Sequence, residues 1–387
     1  MTRTVEIAGA GPAGLAAAVT VARDGGRAIV SERHADVGSR FHGDFQGLES
    51  WTTEGDVLDE LASLGIEPTF EHTPFRECVF YDPEGREHVY RSQKPLWYLV
   101  RRGSFPGSLD HALKAQALAA GADIRFGVAR THLPEGGIVA HGPHRADAIA
   151  VGYVFDTDRA DAAFGAVSDA LAPKGYAYLL ICDGRGTVAT CLFADFHNEK
   201  TYLERTVEFF RKRAGLEMKG PRPFGGYGNV FSAAQPRKGR LLYVGEAAGF
   251  QDALFGFGMR FALLSGHMAA QAWMAGRPEA YDRRWRRRFG DLLKQTVVNR
   301  YFYEKLGDRG YTAFLEGVDR APDGRDWLRG YYAPGRLKLL LHPLARRRVA
   351  RKPELIVGCI EGCDCTWCRC EGHDDPVRLK TQNATAS

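Results

Sequence analysis

The 387-residue chain is 44% hydrophobic and 26% charged with a net charge of +5, the balance of a water-soluble protein long enough for two or three domains. No run approaches the roughly 18 apolar residues of a membrane span, and the first apolar strand starts by about residue 4, before a signal peptide would fit. A cytoplasmic protein is expected, nothing resembles a nucleic-acid module, and the basic runs at 283–288 and 345–352 are read as solvated helix faces or as a peripheral contact with an anionic membrane surface.

In chain order, Val5–Ala8 reads as a short strand and Gly9-Ala10-Gly11-Pro12-Ala13-Gly14 as a G-x-G-x-x-G turn. An alanine-rich helix follows to Arg23, a break at Asp24-Gly25-Gly26, and a second strand from Arg27 to Ser31 ending in Glu32. Gly9 permits the tight turn, Gly11 lets backbone approach a pyrophosphate, and Gly14 lets helix and strand pack closely. The helix start presents free N–H groups to the phosphates. Glu32, 23 residues beyond Gly9, is placed to accept both hydroxyls of an adenosine ribose, which selects against a 2′-phosphate and leaves FAD or NAD.

The loop opening at Arg33 holds Arg40, placed to reach cofactor phosphates, and His42. Helical spacing is read over Trp51–Leu64, a hairpin over Phe75–Arg91 with its turn at Asp82–Gly85, and a strand over Tyr98–Gly103. A helix over Leu109–Ala120 leads to a third parallel strand at Gly121–Val128, with further short strands at Ile138–His141 and Ala148–Val151. Alternation from Tyr176 to Phe193 about Asp183–Gly186 predicts an antiparallel hairpin with Tyr176 and Tyr178 on one face. A helix is read over Tyr202–Ala214, and the glycine- and proline-rich Pro221–Pro236 reads as a crossover.

A second strand–turn–helix then runs from Arg240 to Ala275. Gly245-Glu246 stands at the carboxyl end of its strand, and Gly256-Phe257-Gly258-Met259 opens the helix. A carboxylate there lies in the usual ligand crevice, with backbone N–H groups near an electron-rich ring.

Together the two stretches resemble the glutathione-reductase-type FAD superfamily, and more closely its geranylgeranyl reductase branch among the aromatic-hydroxylase-like flavoproteins. The resemblance covers about residues 4–275 and implies that the first motif binds the ADP half of FAD, while GEAAGFQDALFGFG holds the ribityl chain and flavin. It also implies that Arg101 is the arginine preceding a helix of the FAD domain and that Val128 contacts adenine. The chain departs from the pattern at Glu246 (for aspartate), at Ala253 (for proline) and at Gly152–Thr157, where hydroxylases carry an Asp-Gly segment. Of the prenyl-reductase substrate motif only Tyr176-Ala-Tyr178 remains, and the loop cysteine beside the flavin has no counterpart in Phe41–Asp44.

The expected class is α/β. A discontinuous Rossmann-like FAD domain (1–72, 98–160, 239–276) receives an inserted antiparallel-sheet substrate domain (73–97, 161–238). A helical region (277–355) and a cysteine-rich tail (356–387) follow. The expected activity is reduction of a carbon–carbon double bond in a hydrophobic isoprenoid-like substrate, with NAD(P)H as electron donor and His42, Tyr176 or Tyr178 as proton donor. A flavin monooxygenase or halogenase is the alternative, although the halogenase Trp-x-Trp-x-Ile-Pro signature is missing; a non-catalytic redox sensor is the third reading. In the tail, Cys363, Cys365, Cys368 and Cys370 are spaced closely enough to hold one zinc ion, against an iron–sulfur centre or a free thiol cluster.

Overall fold

The computed structural model describes residues 3–143, 146–230, 235–349 and Trp367. The opening motif forms as expected: the Thr4–Ala8 strand, the Pro12–Arg23 helix and the Arg27–Ser31 strand, which pairs parallel with the first. Gly137–Val139 lies on the other side of Thr4–Ala8, with Leu241–Tyr243 beyond it, and Asp123–Arg125 extends the sheet past Arg27–Ser31. All these pairings are parallel, and only the edge strand Arg237–Lys238 runs antiparallel. This six-stranded sheet is the Rossmann-like core.

The second sheet has seven strands, and all its pairings but one are antiparallel. Tyr176–Cys182 and Arg185–Leu192 pair through a two-residue turn in which Asp183 (φ 50°) and Gly184 (φ 70°) are both left-handed, the turn that matches strand twist. Its Ala177, Leu179, Val188 and Leu192 face pack on Val207 and Phe210 of the Glu199–Ala214 helix. The other face carries Tyr176 and Tyr178.

Three local expectations change. The Trp51–Leu64 helix is only Val57–Ser63, because Asp56 accepts the Leu58 N–H and so caps the chain there. Ala148–Val151 extends to Asp156 inside the seven-stranded sheet, so sheet membership changes near residue 146 and not at 160. Pro221–Pro236 is not a bare crossover, since Lys219–Gly228 is a strand paired with Ala148–Asp156. It lies at the sheet edge, where Pro221 and Pro223 need not donate to a second neighbour.

Helices fill 280–349, and among the described residues no helix is long and apolar enough to cross a membrane. The Asp291–Asp319 segment braces the junction of the two sheets. Arg300 Nη1 donates to the Leu254 carbonyl at 2.7 Å and the Tyr303 hydroxyl to that of Gly175 at 2.7 Å. The cysteine cluster of the tail lies outside the described residues; Trp367 packs against Phe196.

Candidate functional site

At the first turn, a Cβ on Gly9 (φ 108°) would meet the Ala140 carbonyl oxygen at 2.5 Å, and one on Gly14 would overlap the Gly9 carbonyl. Both glycines are required by the packing. Gly11 differs: nothing lies within 4 Å of its Cβ position, and as N-cap it has no side-chain hydrogen bond. Pro12 opens the helix behind it. An uncapped helix start facing open space suits an anionic group, and the residues fit the pyrophosphate of a dinucleotide.

Glu32 is held in place by two backbone N–H groups. Its Oε2 accepts the Ala10 N–H at 2.8 Å and its Oε1 the His34 N–H at 3.0 Å, which leaves each oxygen a further acceptor position. The Glu32 carbonyl takes the Val128 N–H at 2.8 Å, so Val128 stands beside the carboxylate, exposed on its outer side. Arg33 turns away to His34 Nε2 at 3.1 Å.

The second turn is brought onto the first by three small residues. A Cβ on Gly245 (φ 55°) would stand 2.9 Å from the Ala13 methyl, and one on Gly266 would overlap the Ala13 carbonyl. Helix Met259–Met274 therefore lies backbone to backbone on Pro12–Arg23. Glu246 emerges between them, with Arg40 Nη2 at 3.4 Å and the Asn229 N–H at 3.1 Å. Burial pushes its carboxyl above the usual range, opposed by Arg40, the Asn229 N–H and Arg102.

Asp252 shapes the loop that follows. It accepts N–H groups from Leu254 (2.9 Å) and Phe255 (3.1 Å) and the Tyr332 hydroxyl (2.9 Å), while its own N–H donates to the Phe257 carbonyl at 2.9 Å. Burial raises its pKa to about 6 against those hydrogen bonds. Gly256 (φ 79°), Phe257, Gly258 and Met259 are thereby presented at a helix start without a side-chain cap. Phe257 stacks edge-on against Trp51 at 4.7 Å, in space that Gly47 leaves free.

The adjacent arginines Arg101 and Arg102 point opposite ways, as alternate strand residues must. Arg102 is buried, bound to Asp110 by two 2.8 Å hydrogen bonds and stacked 3.9 Å from the Phe41 ring, on the side of Glu246. Arg101 pairs with Glu71 and faces a cavity of about 200 Å³. The sequence reading named Arg101 and missed Arg102; strand parity was the available signal. It also passed over Asp252, whose role depends on Tyr332 far along the chain.

His42 shares the cavity wall with Arg101, Phe105, Val154, Asp156, Arg185 and Arg222. Among the described residues, Arg185 and Arg222 make no ion pair, so the wall is cationic. No residue of the Gly9–Gly14 turn lines it. Register puts Asp156 opposite Arg185 and Val154 opposite Arg222, on the sheet face that carries Tyr176 and Tyr178. The His42 N–H donates to Asp44 Oδ1 at 3.0 Å, and the Phe45 N–H bonds Thr187 Oγ1 at 2.9 Å, so this loop lies against that face.

The structure brings the two tyrosines together, ring centres 6.2 Å apart, but places His42 toward the cavity end. The Tyr176 hydroxyl donates to the Phe255 carbonyl at 2.6 Å. That of Tyr178 makes no hydrogen bond among the described residues. Burial holds both phenols well above their ordinary pKa, so both keep their protons. Cys191, opposite Tyr176, is raised to about 12 by burial and is no thiolate nucleophile. Among the described residues no group of His, Cys, Asp and Glu could hold a metal ion.

No protein-family model matches the chain. It is 21% identical to the digeranylgeranylglycerophospholipid reductase of Methanocaldococcus jannaschii, over 91% of this chain and 96% of that protein. It is 25% identical to digeranylgeranylglycerophospholipid reductase 2 of Methanothermobacter thermautotrophicus, over 82% and 92%. Among solved structures, a geranylgeranyl bacteriochlorophyll reductase-like protein from Thermoplasma acidophilum superposes with TM-score 0.66 at 18% identity, over 90% of this chain and 99% of that one. A flavin-dependent brominase gives 0.62 at 14% identity, over 90% and 98%. The structural likenesses establish the fold, and the resemblance to the geranylgeranyl reductase-like flavoprotein branch stands.

Proposed function

We propose that this chain is a flavin-dependent oxidoreductase that binds one FAD across the two glycine turns and saturates carbon–carbon double bonds of an isoprenoid-like lipid with an anionic head. The observation that carries it is the contact of Gly245 with Ala13, which joins a pyrophosphate cradle and ribose carboxylate to a second carboxylate, Glu246, and a glycine-lined helix start. The relatives of near-equal length, both named as reductases of a geranylgeranyl lipid, support the choice of chemistry.

When bound and reduced by NAD(P)H, the flavin supplies a hydride for one alkene carbon. The chain supplies what remains. Tyr178 holds a proton on an uncommitted hydroxyl and gives it to the other carbon, while Tyr176 is fixed by its bond to Phe255. Arg185 lies four residues along its strand from Ala189, the partner of Tyr178, which is roughly 13 Å at strand rise. An extended lipid chain spans that distance with its head among Arg101, Arg185 and Arg222; a compact polar substrate does not.

The second reading, an oxygen-using halogenase or hydroxylase, is favoured by the brominase likeness of fold alone. A non-catalytic sensor would turn over no substrate. One experiment separates all three: anaerobic reduction of the purified flavoprotein, mixing with a geranylgeranyl phospholipid first without oxygen and then with oxygen and bromide, and mass spectrometry of the product. Gain of H2 per double bond with flavin reoxidation supports the proposal. An added oxygen or halogen, or no turnover with any alkene, removes it.

A further inference from the structure

Helix Arg336–Val349 carries a face that the other described residues leave uncovered. Leu337, Leu340 and Leu344 are 71%, 78% and 50% exposed, half of the six large apolar side chains left exposed among the described residues. Their spacing puts them on one side. The opposite side is fixed to the body: Ala345 and Val349 are buried, Lys338 Nζ reaches Asn299 Oδ1 at 3.3 Å and lies over the Tyr331 ring, and the Gly335 N–H bonds Gln295. The helix cannot roll its leucines inward without breaking these contacts.

Its charge is of one sign. Arg336, Lys338, Arg346, Arg347 and Arg348 lie within it, and it has no acidic residue. Arg286 and Arg287, also exposed, lie in the turn of helix leading into Asp291–Asp319, against which this helix packs. A second copy of the same face would bring like charge to like charge.

We propose that this face is a docking surface for an anionic lipid bilayer. The leucine stripe enters the boundary between headgroups and acyl chains, and the flanking arginines pair with lipid phosphates. Insertion of three leucines alone is shallow, and the cations supply the long-range attraction that makes it selective for anionic lipid.

The test uses the full-length protein and vesicles, with no need for turnover or bound flavin. Wild type is expected to sediment with phosphatidylglycerol-rich vesicles, much less with pure phosphatidylcholine, and to be released by high salt. Leu337→Gln, Leu340→Gln and Leu344→Gln together lower binding about tenfold or more with no loss of melting temperature, since the replaced side chains are exposed. Arg336→Gln, Arg347→Gln and Arg348→Gln lower binding to the anionic vesicles alone. Wild type remaining in the supernatant, or the leucine variant sedimenting like wild type, overturns the proposal. So does a vesicle-free dimer that the leucine variant dissolves, which would assign the stripe to a second copy, and so does binding that appears only after removal of residues 351–387.

Discussion

Arg40 Nη2 stands 3.4 Å from Glu246 Oε2, joining the loop after the second strand to a turn more than two hundred residues later. The pairing favours the ionised form of a carboxyl that burial pushes toward the neutral form. Arg40→Ala is expected to raise the Glu246 pKa further and weaken flavin binding about tenfold. Flavin fluorescence titrations at pH 6 and pH 8 check it: the loss should be larger at the lower pH, which favours protonation of the unpaired carboxyl.

Gly11 and Gly14 should fail differently. Gly11→Glu places a side chain in open space, so the protein should fold with the melting temperature of wild-type apoprotein yet purify colourless. Gly14→Ala drives a methyl into the Gly9 carbonyl and should destabilise the fold by about 2 kcal/mol or more. Calorimetry of both variants without flavin separates loss of a ligand from loss of packing.

Tyr178→Phe removes a hydroxyl that no protein hydrogen bond occupies among the described residues, so stability and flavin content should hold. The substrate-dependent reoxidation of reduced flavin should slow by about 10²-fold or more. Because burial holds this phenol well above its ordinary value, the step should show no alkaline limb below about pH 10. Stopped-flow reoxidation across pH 6–10 would reveal one if the assignment were wrong.

Arg185→Glu with Arg222→Glu should raise KM for a phosphate-bearing substrate about tenfold, and leave KM for the same lipid as a free alcohol unchanged. A matching rise for both would place the arginines outside the substrate path.

Asp252 makes stability depend on pH in an identifiable direction. Its folded pKa, about 6, lies above the unfolded value near 3.8, so the folded state binds the extra proton. Its contribution is fully present below about pH 4 and is lost as the pH rises through 6. Denaturant titrations should show that Asp252→Asn removes a slope of about one proton across that window.

What was legible in the sequence was local. The strand–turn–helix around Gly9, Gly11 and Gly14 follows from spacing within one short stretch, and the Asp183-Gly184 hairpin does the same. Sheet membership was harder. Pro221 and Pro223 argue against a strand only where both edges must bond, and nothing local reveals that Lys219–Gly228 has a single neighbour. The choice between Arg101 and Arg102 turns on which strand face meets Phe41, and Asp252 on a hydroxyl eighty residues away. Those are tertiary facts.

The order of the parallel sheet bears on how the chain is made. Its central strand, Thr4–Ala8, leaves the ribosome well before its partners on one side: its neighbour Gly137–Val139 comes about 130 residues later, and Leu241–Tyr243 closes that side later still. Gly266, which seats the covering helix on Ala13, comes after both. At typical elongation speeds the nascent apolar strand and its alanine-rich helix wait on the order of tens of seconds for these partners. Release of a chain stopped before residue 266 should give an aggregating product, and the seven-stranded sheet with its helix, complete by residue 228, should acquire protease resistance earlier than the parallel-sheet domain.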